Sequence, residues 1–464
     1  MIPVPVIAIF DVGKTNKKFF LIDEGYSIVL ERSVPFEEIT DEDGDACDDV
    51  SHLSTWVKES LTEILLLKKF EVKAVNFSAY GASFVYINEK GEVVAPLYNY
   101  LKSYPDELKS ELYNKYGGEE KISCETASPV LGSLNSGMQL YRQLKEKPAL
   151  YQQIKYALHL PQYLSYLVSK QCFSDITSIG SHTQLWNFQN NKYHEWVTGE
   201  GIDKKLAPIF PSDKTISTVV NDVKIEVGAG LHDSSAALIP YLTVFSEPFI
   251  LISTGTWCIS LNPFNDEPLT VAELKKDSLC YFGFKGKPVK ASRLFAGHEH
   301  EQQVQKLAKH FNQPADYYKN VKYDASIIDA LQKEYSFSGS TEKNAEGLIQ
   351  SGFSTRELSA FENYDVAYHC LLLDIMQQQF ASTHSVIQHT NVNRIFVDGG
   401  FGNNSIFMHL LASAFPQLEV YAASVAQATA LGAALAIHQS WNTKLIPTDI
   451  VELKYYATIH SPSL

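Results

Sequence analysis

The chain has 464 residues, of which 45% are hydrophobic, 12% aromatic and only 20% charged, a composition that can bury a large core and excludes a disordered chain. One core stops growing well short of this length, so two domains of roughly 200 residues each are expected, with a cleft between them. The net charge of −14 is spread without any basic run, which excludes a nucleic-acid groove or an anionic membrane surface as the partner.

The opening MIPVPVIAIFDVGK has no basic n-region and too short an apolar run for a signal peptide or a membrane span, and no later apolar stretch approaches about 20 residues. A cytoplasmic protein with no membrane partner is expected. The six cysteines, Cys47, Cys124, Cys172, Cys258, Cys280 and Cys370, show no C-x-x-C spacing, so they are expected to be reduced core thiols.

In chain order, VPVIAIFDVGKTNKKFFLID predicts a strand, a polar turn with Gly13, and a second strand. EEITDEDGDACDD places Asp41, Asp43 and Asp45 at calcium-loop spacing, but an EF-hand counted from Asp41 needs Gly and Glu where Ala46 and His52 stand. A solvated acidic loop is expected there. SHLSTWVKESLTEILLLKK has helical periodicity and KAVNFSAY, running into Gly81, reads as a strand, so the class is α/β. Residues 136–170 read as largely helical, interrupted near Pro148 and Pro161. VGAGLHDSSAALIPYL closes the first half, and the boundary falls near residue 243.

The second half opens with PFILISTGTWCISLN, again a strand, a small polar turn and a strand, which suggests a duplicated architecture. His298 and His300 in AGHEHEQQV lie two apart, on different faces of a helix, and H-E-x-x-H is missing, so a polar helix start is favoured over a metal site. Toward the end come a strand IFVD, a loop GGFGNNS, a helix IFMHLLASAF, a strand VYAA and a small-residue helix AQATALGAALAI.

Four segments could carry chemistry. Asp11 ends a buried-type strand and is followed by Gly13, Lys14, Thr15 and Asn16, so backbone N–H groups and a cation can converge on an anion. This is no Walker A loop, and a plain hairpin is the alternative. Ser253, Thr254, Gly255 and Thr256 offer hydroxyls and backbone donors without charge, or simply a small-residue hairpin. Gly399, Gly400 and Gly402 precede a helix and let backbone approach a nucleotide; their spacing is not G-x-G-x-x-G, which disfavours a dinucleotide-dependent oxidoreductase. His232 and Asp233 stand between the halves, where a carboxylate can accept a proton from a hydroxyl, help hold Mg²⁺, or cap a helix.

Taken in order, these segments resemble the FGGY carbohydrate kinases of the actin-like ATPase superfamily over essentially the whole chain. FDVGKTNKKFFLI is similar to that family's first phosphate motif and STGTWCISL to its second. VDGGFGNNSIFMHLLAS with VAQATALGAALAI is similar to the adenosine motif, and AGLHDSSAAL to the segment holding the catalytic aspartate.

The resemblance implies two actin-like (ribonuclease H-like) domains, residues 1–243 and 244–464, with ATP and Mg²⁺ bound in the cleft and a small sugar as acceptor. It implies Asp233 as catalytic base, Asp11 and Asp233 as metal residues, and Asp11, Gly13, Lys14, Thr15 and Asn16 along the phosphates. Gly255 and Thr256 would face the γ-phosphate, and Gly399, Gly400, Phe401 and Asn404 the adenosine. Gly81, Ala82, Tyr98, His232 and Asp233 would meet the sugar. Within the family, His232–Asp233, Gly255 to Trp257, and Thr183, Gln184 and Leu185 resemble the rhamnulokinase branch, which ranks 6-deoxyketoses first, with L-rhamnulose the leading candidate and L-fuculose, D-xylulose, L-ribulose and glycerol the alternatives. Two departures stand out: Lys14 replaces a small or hydroxyl residue, and Tyr98, Asn99 and Tyr100 stand in place of an acidic–arginine pairing. A second copy of the chain is a candidate partner. The rivals are an actin-like ATP-dependent binding protein and a sugar-binding regulator without catalysis.

Overall fold

Runs of buried β-branched and aromatic residues build two seven-stranded sheets in the computed structural model, which describes residues 2–14, 16–335 and 351–457. In the first sheet Val4–Val12 (β1) returns antiparallel as Lys17–Asp23 (β2) and again as Ile28–Val34 (β3). Helix Val50–Leu66 (α1), capped by the Asp49 side chain accepting from the His52 N–H, carries the chain over to Phe70–Ala79 (β4), which runs parallel to β1. Thr215–Val220 (β5) and Val223–Gly228 (β6) extend the other edge, and Leu231–His232 (β7) pairs with the end of β4. The order is β5-β6-β4-β1-β2-β3.

The second sheet repeats the plan. Phe249–Thr254 (β8) and Cys258–Asn262 (β9) form the hairpin, followed by Ser278–Phe282 (β10) and Pro288–Leu294 (β11). Arg394–Gly399 (β12) lies parallel to β8, then Glu419–Ser424 (β13) and Glu452–Tyr456 (β14) complete the order β10-β11-β9-β8-β12-β13-β14. The registers coincide: Val12 faces Lys17 and Ala79, just as Thr254 faces Cys258 and Gly399. Asp11 and Ser253 therefore occupy the same place in the two halves, as do Ser78 and Asp398.

The helices that follow are Leu160–Ser169 (α2), Asp233–Val244 (α3), Ala296–His310 (α4), Tyr364–Ile387 (α5), Ser405–Ala414 (α6) and Ala428–Ala436 (α7). Helices α3 and α7 lie between the sheets, and one apolar cluster joins them to Ile7 and Ile9 of the first sheet and Leu251 and Phe396 of the second. The two halves thus share buried surface, which fixes where their facing edges meet.

The helices break near Pro148 and Pro161 as expected, and each proline lies in the first turn of the next helix, where the missing N–H costs nothing. One correction is that Tyr156–His159 between them is a strand paired with Phe84–Ile87. The acidic loop is no free solvated loop either. Lys102 reaches Asp41 at 2.5 Å, Asp43 at 2.7 Å and Asp45 at 3.0 Å, and Asp41 is buried.

Candidate active site

A cavity of about 660 Å³ lies between the sheets, with Gly81, His232 and Asp233 on one wall and Trp257, Arg293 and Asp398 on the other. Asp233 reaches it because β7 is only two residues long and stops at the edge of β4, where α3 begins. His232 occupies the N-cap and Asp233 the first helical position. Its Oδ1 accepts from the Ser234 N–H at 2.6 Å and the Ser234 hydroxyl at 3.3 Å, and no hydrogen bond reaches Oδ2 among the described residues. In this cavity-lining residue one carboxylate oxygen is anchored and the other has no hydrogen bond among the described residues, an arrangement suited to a proton acceptor.

Asp11 stands one residue from the end of β1, opposite Lys18 on β2 and Ser78 on β4. The Thr429 hydroxyl, from the first turn of α7, donates to its Oδ2 at 2.7 Å. Burial pushes the Asp11 carboxyl up to about 6; the Thr429 hydrogen bond works against this and the Asp233 charge adds to it. The Asp233 charge is thus felt at Asp11, whose anion is disfavoured chiefly by burial.

The first turn is closed by the Gly13 N–H donating to the Asn16 carbonyl at 2.9 Å, and Asn16 is exposed. Thr15 lies outside the described residues. The Lys14 ammonium is turned to Asp48 at 2.8 Å and Glu38 at 2.7 Å, and the residue is not part of the cavity wall. The second turn is closed by the Gly255 N–H donating to the Trp257 carbonyl at 2.9 Å, while the Thr256 carbonyl accepts the His298 N–H. At Gly399, with φ of +95°, a Cβ would lie 1.9 Å from the Thr254 carbonyl, so this close crossing admits only glycine. The Phe401 N–H donates to the Thr254 hydroxyl, which itself donates to the Asp398 carbonyl, tying the glycine loop to the second turn. Gly400 faces open space, whereas Phe401 is buried against Phe407 and His300. Asn404 caps α6 and donates to the Tyr368 hydroxyl at 2.6 Å. His300 is buried with its ring on that same hydroxyl, and burial lowers its pKa to about 4.

At the other end of the cavity the His232 ring lies so close to Gly81 that a Cβ there would sit 2.7 Å from its Cδ2. The Ser181 hydroxyl is 3.1 Å from His232 Nε2, and burial lowers the pKa of the ring against the opposing pull of Asp233. Ala82 lines the wall with φ of +65°, and His182 beside it has φ of +44°. Tyr98 does not join this set. Its hydroxyl donates to Glu42, and it is Tyr100 that stands on the cavity wall.

Residues 6–239 match the N-terminal domain of the FGGY family of carbohydrate kinases, and residues 246–444 match the carbohydrate kinase FGGY C-terminal domain. The chain belongs to the FGGY carbohydrate kinases. A rhamnulokinase of Mannheimia succiniciproducens is 26% identical over 185 residues, 39% of this chain and 38% of the relative. A rhamnulokinase of Halalkalibacterium halodurans is 22% identical over 273 residues, 57% of each. The chain thus matches less than two thirds of the length of either. Among solved structures, a carbohydrate kinase from Novosphingobium aromaticivorans superimposes with a TM-score of 0.81 at 21% identity, covering 99% of this chain and 95% of that one.

For an FGGY kinase the structure adds residues that sequence reasoning passed over. Lys18 is the cation facing Asp11, and counting outward from the Gly13–Asn16 turn pairs the two directly, a signal the hairpin already held. Thr429 and Asp398 lie in segments quoted above for other residues, and His182 directly precedes Thr183. Arg293 belongs to no motif, and only the strand pairing of β9 with β11 brings it to the cavity.

Proposed function

We propose that this FGGY kinase transfers the γ-phosphate of ATP to a hydroxyl of a ketose, with L-rhamnulose the first candidate. The observation that carries the reading is Asp233, whose Oδ2 has no hydrogen bond among the described residues, in a residue that lines a cavity shared by both halves. In this mechanism Asp233 accepts the hydroxyl proton as the sugar oxygen attacks the γ-phosphorus, the bond to the β-phosphate oxygen breaks, and ADP leaves. The two hairpin turns and the glycine loop orient the nucleotide, and closure of the halves excludes water.

Asp11 and Asp233 would hold Mg²⁺, and the fit rests on their chemistry: two hard carboxylates, one with a raised pKa that a cation would relieve. When bound, Mg²⁺ neutralises phosphate charge. Leu251, Ile259, Leu261 and Leu279 make part of the cavity wall apolar, which suits the methyl group of a 6-deoxyketose better than a fully hydroxylated chain. The rhamnulokinase relatives support the same choice. We place the enzyme in the cytosol, in keeping with six free cysteines. No helix of the described residues is long and apolar enough to cross a membrane.

The test is ADP release from Mg-ATP with L-rhamnulose, L-fuculose, D-xylulose, L-ribulose and glycerol. One ketose should stimulate strongly, and Asp233→Asn should lower transfer by about 10²-fold or more with ATP affinity nearly unchanged. Near-normal turnover in that variant would remove Asp233 from the mechanism, and ATP binding without stimulation by any sugar would favour the binding-protein rival.

A further inference from the structure

Phosphoryl transfer needs positive charge directed at the moving group, and the cation in the first turn is not available for it. Lys14 is held by Asp48 and Glu38 outside the cavity, and Lys18 serves Asp11 and donates to Gln427 at 3.1 Å. Among the cavity-lining residues one Arg or Lys remains, Arg293. Strand pairing sets Arg293 opposite Ile259, two residues beyond Trp257. Its guanidinium carbon lies 5.4 Å from the centre of the Trp257 ring, the residue whose carbonyl closes the second phosphate turn. Nη2 donates to Asp277 Oδ1 at 2.8 Å, and the Arg293 N–H donates to the Asp277 carbonyl at 3.2 Å, so strand, ring and carboxylate fix the direction of the charge. Among the described residues Nε is buried with no hydrogen-bond partner. An arginine kept only for structure would have its buried donors met.

We propose that Arg293 is a catalytic residue of this kinase, the cation that contacts the phosphoryl group in transfer. The inference rests on the kinase reading above but on no particular sugar. Stacked on Trp257, the guanidinium is held at the edge of the turn that faces the γ-phosphate, on the wall across from Asp233. It would stabilise charge that is greatest while the phosphoryl group is between the two oxygens.

The experiment compares Arg293→Gln, which keeps a donor for Asp277 but no charge, with Arg293→Lys, which keeps charge without the planar fork. Steady-state kinetics use L-rhamnulose or whichever panel ketose the wild type turns over fastest. Calorimetry measures ADP with and without aluminium fluoride, a stand-in for the transferring group. Arg293→Gln should lose about 10²-fold in kcat, with ADP affinity and sugar KM within about threefold of wild type. Its affinity for ADP with aluminium fluoride should fall at least about tenfold, and Arg293→Lys should recover part of both losses. An unchanged kcat, a raised sugar KM with kcat intact, or an equal loss of plain ADP binding would each overturn the assignment. If Arg293→Gln does not fold, Arg293→Lys decides: a kcat about tenfold down with ADP binding intact supports it and an unchanged kcat refutes it. If the wild type turns over no sugar, the kinase reading fails, while the aluminium fluoride comparison still reads Arg293.

Discussion

The Thr429 hydroxyl donates a 2.7 Å hydrogen bond to Asp11 Oδ2, so the first turn of a helix from the second half holds the carboxylate at the end of the first strand. That bond favours the ionised acid, and burial together with the Asp233 charge opposes it. Thr429→Val removes the opposing influence, so the Asp11 pKa rises further above 6. If ionised Asp11 is needed for turnover, the acid limb of kcat/KM against pH should move to higher pH, because that profile reports the free enzyme. Activity near pH 6 should fall more than activity near pH 8. A uniform loss across the range would show that Thr429 acts only through structure.

Asp11→Asn probes the same site by stability without substrates. Burial raises the folded pKa to about 6, above the ordinary value of 3.8, so the folded state holds the proton more tightly. The wild type therefore has its full Asp11 contribution below about pH 4 and loses it as pH rises through 6, a change of about 3 kcal/mol. The Asn variant has no such loss, so its Tm relative to wild type should be higher at pH 7.5 than at pH 5. A pH-independent difference would show that Asp11 is not strained as an anion.

Lys14 shows the limit of reading a turn by its own residues. The sequence places a cation in a turn expected to bind phosphate, but Asp48, 34 residues on, folds over it, along with Glu38. Burial alone would lower the Lys14 pKa, yet those two carboxylates raise it. In Lys14→Met, Asp48 keeps Lys17 at 2.8 Å and the Tyr80 hydroxyl at 2.7 Å. The variant should keep its KM for ATP within about threefold and lose about 1 kcal/mol of stability or less, as for a partly exposed pair. A rise in ATP KM of about tenfold would mean that Lys14 leaves Asp48 for the phosphates.

Local chemistry is what made the fold readable. Both hairpins, the glycine loop and the small-residue helix declare themselves through apolar runs broken by glycine, and Asp233 through its place between the halves. What stayed hidden depends on pairing across distance. Arg293 reaches the cavity by lying opposite Ile259, and Thr429 meets Asp11 from 418 residues away. Tyr98 and Tyr100 are two apart in a segment of no regular structure, where neither period tells which ring faces the cavity. The strand Tyr156–His159 was masked by helical sequence on both sides and is set by its partner Phe84–Ile87.

Gly432 makes the crossing of α3 and α7 possible. A Cβ there would lie 1.8 Å from the Ala236 carbonyl oxygen, a backbone atom that cannot swing aside. Gly432→Ala gains about 1 kcal/mol of helix propensity, but the overpacking costs about 1–3 kcal/mol, so the net change should be destabilising. The clash has a second effect, because α3 begins at Asp233 and α7 carries Thr429 in its first turn. Prising the helices apart would move Thr429 from Asp11 and Asp11 from Asp233, so kcat should fall along with Tm. Gly400→Ala is the contrast, since nothing lies within 4 Å of a Cβ there, and its Tm should match wild type. A Gly432→Ala enzyme with normal Tm and kcat would show that the crossing has slack, and that the geometry of the two carboxylates does not depend on it.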